Sequence, residues 1–249
     1  HHNYKIYSFT LVYLQISHKM KRKLLTILTI LGVCTTAQSQ IHELGVTVGA
    51  TNYIGDIGST KYINPTDMGY GFQYRWNKSA RHSWRVNYTY MPISGKDADS
   101  DMPLRQARDL STKNNLNELM LGLEFNFFEF DLHNDWFAFT PYVHTGIAGI
   151  SYKESYFNEY AKQIEKDTEY ALAIPVTLGL KALINKKLVI SAEVGARYAF
   201  TDNLDGSNPA NPSTNIVAFG NTNSKDWYVF SGINISYTFG KNPCYCAPR

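Results

Sequence analysis

The amino-acid sequence predicts an all-β protein: an eight-stranded antiparallel transmembrane β-barrel with long external loops and short periplasmic turns. Three observations carry this. Eight stretches alternate apolar with polar residues at a period of two, the links between them are alternately short and long, and the polar face of the strands bears charges of both signs. Composition agrees, since a chain of 249 residues that is 44% hydrophobic, 14% aromatic and only 18% charged belongs with ordered proteins. Its aromatics lean to Tyr, 18 against 13 Phe and 4 Trp, and a ring with a polar tip suits a boundary between oil and water.

The first element is a removable one. Residues 1–19 show no structural pattern and read as sequence upstream of the true initiator, Met20. Met20-Lys21-Arg22-Lys23 is a basic start, Leu24 to Val33 an apolar run, and Ala37-Gln38-Ser39 a small-residue cleavage site, so 20–39 read as an export signal for the general secretory pathway. A spanning helix is the alternative, but it requires about 20 apolar residues. Cys34 in Leu-Gly-Val-Cys loosely fits a lipoprotein box, with Val where a small residue is wanted. The export signal also distorts the charge. Residues 1–39 hold five basic groups and no acid, so 24 basic and 21 acidic residues become 19 and 21, and +3 becomes −2. That removes the case for a nucleic-acid partner.

Beyond Ser39 the runs lie at about 42–53, 68–78, 81–94, 115–129, 136–152, 168–184, 187–201 and 226–240. The second sets Tyr70, Phe72, Tyr74 and Trp76 against Gln73, Arg75 and Asn77, and the third sets Trp84, Val86, Tyr88 and Tyr90 against Arg85, Asn87 and Thr89. The fourth alternates from Leu119 to Phe127 against Glu118, Glu124 and Asn126, and the seventh from Leu188 to Phe200 against Ser191, Glu193 and Arg197. In the fifth, Phe137, Phe139, Val143 and Ile147 compete with Tyr142, Ala148 and Ile150 for the outer face. Pro141 and Pro175 sit inside runs, where each removes a ladder hydrogen bond, so bulges are expected near them. Trp227 to Phe239 alternates and ends on an aromatic, which resembles the terminal signature of outer-membrane barrels.

Links of a few residues join runs two to three, four to five and six to seven, whereas about 54–67, 95–114, 153–167 and 202–225 are long. A barrel with both termini and its short turns in the periplasm produces that alternation. A soluble barrel with its oily face inward is the competing arrangement. Lipid outside is favoured because the other face carries Arg75, Arg85, Glu118, Glu124, Lys181, Glu193 and Arg197, a set that can pair and fill a lumen wide enough only for side chains. Residues 40–240 are then a plugged outer-membrane barrel in contact with lipid, and 241–249 a periplasmic tail.

Chemistry is sparse. His42, His82, His133 and His144 all fall outside the long loops, where a lipid-modifying barrel would keep a base, and Gly55-Asp56-Ile57-Gly58 lacks the Lys and helix of a phosphate loop. No catalytic, metal or cofactor site is expected, and the protein reads as non-enzymatic. Cys244-Tyr245-Cys246 admits three functional readings, half of a zinc site with no second pair, a strained disulfide, or a partner-docking tail, the last being preferred among them, and a bland, exposed tail without chemistry stands as the alternative to all three.

Several of these segments together resemble a known family. Glu43-Leu44-Gly45-Val46, Asn52 to Gly58, Tyr62-Ile63-Asn64-Pro65, Gly122 to Phe128, Thr140-Pro141-Tyr142 and Asn242-Pro243-Cys244-Tyr245-Cys246 are similar to the PorG-like outer-membrane barrels of Bacteroidetes, components of type IX secretion and gliding machinery. The ending reads Cys-Ala-Pro where Cys-Pro is the family pattern. The resemblance implies a protein-transport component that anchors periplasmic ring proteins to the outer membrane. A stand-alone barrel, adhesin-like or passive in uptake and acting through its external loops, is the alternative.

Overall fold

The computed structural model describes residues 42–61, 64–132, 137–209, 216–217, 219–221 and 225–240. The expected export signal, the upstream residues and the tail with Cys244, Tyr245 and Cys246 lie outside them, as does His133. The barrel is built from β1 (His42–Ile54), β2 (Asp67–Asn77), β3 (His82–Lys96), β4 (Ser111–Asn126), β5 (Ala138–Asn158), β6 (Gln163–Asn185), β7 (Leu188–Ala199) and β9 (Trp227–Phe239), with a two-residue β8 (Ile216–Val217) added to the end of β5. Every pairing is antiparallel, in the order β4-β3-β2-β1-β9-β7-β6-β5, and β4 pairs with β5 to close the sheet. The seam between first and last strands runs from His42 opposite Phe239 to Ile54 opposite Trp227. Closure matters because an open edge would leave unpaired N–H and C=O groups in hydrocarbon.

Alternation sets the two faces. Leu44, Val46, Val48, Phe72, Leu121, Val176, Leu178 and Ile235 are each about half exposed on the outside, and their immediate neighbours in sequence point into the lumen. Apolar side chains left in water forgo about 1.5–3 kcal/mol each. A band of this extent would forgo tens of kcal/mol, against a typical net stability of about 5–15 kcal/mol, so its solvent is lipid. In β5 the competition is settled for one set: Phe139 and Ile147 face out, and Tyr142, Ala148 and Ile150 are buried.

Four expectations are corrected. The fifth link, read as a loop over 153–167, is instead the continuation of β5 and β6, which turn at Glu159–Lys162 with Ala161 at φ 58°. The bulges fall between Lys153 and Ser155 and between Leu183 and Asn185, rather than at the prolines. Pro141 sits opposite Leu180 and Pro175 opposite Arg197 in unbroken register, because losing one N–H interrupts the ladder without inserting a residue. The long link expected over about 95–114 is shorter, because β3 runs on to Lys96 and β4 starts at Ser111, and it holds a 3-10 turn (Asp97–Asp99) and a short helix, α1 (Pro103–Arg108). The link over 202–225, expected outside, sends its first residues inward: Asp202 through Ser207 are all buried.

Candidate functional site: a paired lumen under an external stopper

All seven side chains expected to form a lumen network are buried. The structure brings five of them, Arg75, Arg85, Glu124, Lys181 and Glu193, into one connected system with an eighth residue, Glu43, and places Glu118 with Arg197 further along. Glu124 on β4 accepts from Arg75 Nε at 3.1 Å, Arg85 at 3.3 Å and Lys181 Nζ at 2.6 Å. Glu193 on β7 takes a forked contact from Arg85 at 2.8 and 2.9 Å and the Tyr142 hydroxyl at 2.7 Å. Glu43 on β1 accepts from Arg75, from Asn77 Nδ2 at 2.7 Å and from Ser236 Oγ at 2.9 Å. Glu118 accepts from Arg197 Nε at 3.4 Å and from the Tyr228 hydroxyl at 2.7 Å. Four guanidinium or ammonium groups thus face four carboxylates, and each carboxylate also takes a neutral donor, except Glu124, which has three cations.

Register explains how these groups meet. Arg75 lies directly opposite Arg85 across the β2–β3 ladder, a repulsive placement on its own. The two diverge, Arg75 towards Glu43 and Arg85 towards Glu193, and share Glu124 between them. Tyr142, Gly179 and Glu193 stand in one cross-strand row. A side chain at Gly179 would run into the Tyr142 ring, so the glycine is what lets the phenol lie across β6 and reach Glu193.

Glu43, Tyr142 and Tyr228 were missed as lumen partners by sequence reasoning. Glu43 could have been found, since it continues the polar face opposite Leu44, Val46 and Val48. The tyrosines carried no such signal, because their rings suit the outer face equally well. His144 projects inward beside Gly122, and neither ring nitrogen has a hydrogen-bond partner among the described residues. His42 packs instead on Tyr74 and Phe239 at the periplasmic rim.

Towards the external end the lumen turns apolar. Tyr53, Met91, Ile93, Leu116, Met120, Tyr228 and Phe230 form a buried cluster with Leu204, a residue of the link after β7. Above it the loops lock together. Asp97 accepts from Arg108 at 2.7 and 3.0 Å, from the Gly58 N–H at 3.0 Å and from the Leu110 N–H at 3.2 Å, and Arg108 also donates to the Asp56 carbonyl at 2.7 Å. Burial alone would raise the Asp97 carboxyl, but the Arg108 guanidinium and the two amides outweigh it and hold it below the usual range. Gly58 takes φ 94° there, the left-handed conformation that a Cβ would resist, and so turns its N–H to the carboxylate.

Among the described residues no group of three or more His, Cys, Asp or Glu side chains is arranged to hold a metal ion, and no helix is long and apolar enough to cross a membrane. A closed antiparallel sheet of eight strands, apolar outside and filled with paired charges inside, defines a membrane-spanning β-barrel of the small outer-membrane kind. The chain belongs to the family described as "Domain of unknown function (DUF6089)", which matches residues 21–248. No match was found among the curated proteins. Among solved structures it is similar to the N-terminal β-barrel domain of Pseudomonas aeruginosa OprF, at 13% identity, a TM-score of 0.43, and coverage of 81% of this chain and 100% of that one. It is also similar to Ail, the attachment invasion locus protein of Yersinia pestis, at 10% identity, a TM-score of 0.43, and coverage of 80% and 99%. Neisserial surface protein A is similar at 10% identity, with a TM-score of 0.44 and coverage of 80% and 97%.

Proposed function

We propose that the protein is a non-conducting, non-enzymatic anchor in the outer membrane that works through its two ends. The observation that carries this reading is the filled lumen: paired charges at one level, an apolar cluster above them and an inserted loop segment over both. Buried ion pairs on facing strands are more often structural partners than an acid and base at work, and a solute has no route past them. The resemblance in Glu43-Leu44-Gly45-Val46, Asn52 to Gly58 and Cys244-Tyr245-Cys246 supports assigning the anchor to type IX secretion and gliding machinery, with periplasmic ring proteins as partners. Truncation after Phe239 tests it. Loss of ring-protein co-purification from detergent-solubilised outer membrane is the expected result, and unchanged co-purification and cargo secretion would overturn it.

The interlocked external loops favour a second reading, recognition at the cell surface. A cap held by Asp97, Arg108 and Arg105 presents a fixed shape, as a binding surface must. Replacing the external turns while keeping the tail would then abolish function, whereas under the anchoring reading it leaves secretion intact.

A further inference from the structure

Residues 202–207, which follow β7, are buried in the barrel mouth. Leu204 sits wholly buried among Tyr53, Met91, Leu116 and Tyr228, its carbonyl accepting from Asn114 Nδ2 at 2.9 Å. The Asp205 carbonyl accepts from Thr112 Oγ1 at 2.8 Å, so β4 holds the segment from one side. From the other side the Leu204 N–H donates to Asp226 Oδ2 at 2.9 Å, just ahead of β9. The residues are thereby pinned across the mouth.

The pins on the β9 side are acidic. Asp226 Oδ1 accepts from the Tyr53 hydroxyl at 2.6 Å, and that hydroxyl also interacts with Asp205. Asp205 is fully buried: one carboxylate oxygen accepts from the Ser207 N–H at 2.9 Å, and Oδ2 has no hydrogen-bond partner among the described residues. The remaining ionisable neighbours are Asp56 from the first loop, Asp202 from the same segment with Lys225 near it, and Tyr152 from β5. No described cation makes an ion pair with Asp205 or Asp226. Two buried carboxylates without a cation cannot both ionise at low cost, and the proton they keep belongs to the pair.

We propose that residues 202–209 form a proton-latched stopper, seated in the barrel mouth while the Asp205–Asp226 pair holds a proton and released as both carboxylates ionise. Burial, followed by repulsion from Asp205, pushes the Asp226 carboxyl well above its ordinary range, and burial raises Asp205 as well. The sign follows from linkage. Groups whose affinity for protons is greater in the closed state favour closure at low pH, and that contribution is lost as pH rises through the closed-state value.

Hydrogen exchange on the full chain in detergent micelles, from about pH 5 to about pH 9, reads this directly. After correction for intrinsic exchange, protection of the peptide covering 200–209 is expected to fall about ten-fold per pH unit above the transition, the slope of a one-proton linkage. Asp205→Asn supplies a neutral partner and is expected to flatten the profile at high protection. Asp226→Asn, whose amide can still accept from Leu204, is expected to do the same, so either folded variant suffices, with heat-modifiable migration as the folding check. A flat wild-type profile, or a transition that survives in a folded variant, overturns the proposal. It is overturned equally if EDTA opens the segment at every pH and about 1 mM Ca2+ closes it, for the pair is then a cation site.

Discussion

Glu124 holds three cations in the lumen; Arg75 and Arg85 each have a second carboxylate, Glu43 and Glu193, whereas Lys181 ion-pairs with Glu124 alone among the described residues. Removing one partner from a buried ion cluster costs about 3–5 kcal/mol, because the charges left behind stay desolvated. Glu124→Gln is therefore expected to lower the urea midpoint of the folded barrel by that equivalent, and Glu124→Gln combined with Lys181→Met to recover part of it. Gly179→Val tests the neighbouring row: a Cβ there displaces Tyr142 and deprives Glu193 of a donor, so the variant should lose stability while Val176→Ala, on the lipid face, loses less. Asp97 gives a pH test at the cap. Its carboxyl is held below the usual range in the folded loop, so its stabilising contribution is present above the ordinary carboxylate pKa and disappears as pH falls through the folded value. Protection of the Gly58 and Leu110 amides, corrected for intrinsic exchange, should fall in acid, and Asp97→Asn should remove that acid-dependent step.

At the scale of elements, strands were legible wherever one face meets lipid and the other meets charge. The runs read at about 68–78 and 81–94 correspond to β2 (Asp67–Asn77) and β3 (His82–Lys96) within about two residues. The outer ends of β5 and β6 were not legible. Lys153-Glu154 and Glu165-Lys166-Asp167 put charges on consecutive positions, so the alternation that marks a strand disappears although pairing continues. Helix α1 was equally silent, six residues with no side-chain cap at Met102. The segment from Asp202 to Ser207 is polar and glycine-bearing, the composition of an exposed loop, and is buried where the barrel mouth supplies Thr112 and Asn114 as donors to its carbonyls. Of the candidate site, the charges could be listed from sequence but not joined, since which carboxylate meets which guanidinium depends on register. Leu204→Ala probes the stopper as an element: it should raise exchange across 200–209 and leave the β1–β9 seam protected.

For the whole molecule, the lipid-facing band predicts the largest difference between two superficially similar substitutions. Leu121→Arg places a charge on the outer face and is expected to cost about 2–4 kcal/mol if it lies near the bilayer midplane, measured by unfolding from lipid vesicles. The same change at exposed Leu104, in the external loop, should be close to neutral. Equal costs at the two sites would contradict a membrane-spanning orientation. The paired lumen has one further consequence, for assembly. A strand that slips by two residues against its neighbour keeps its oily face outward, and Leu, Val and Ile on that face barely register the error. The interior does register it. Glu43 on β1, Arg75 on β2, Arg85 on β3, Glu124 on β4, Tyr142 on β5, Lys181 on β6, Glu193 on β7 and Ser236 on β9 are satisfied together only when all eight strands are in step. The lumen thus serves as a proofreading code for the chain that encloses it, read once, as the barrel closes.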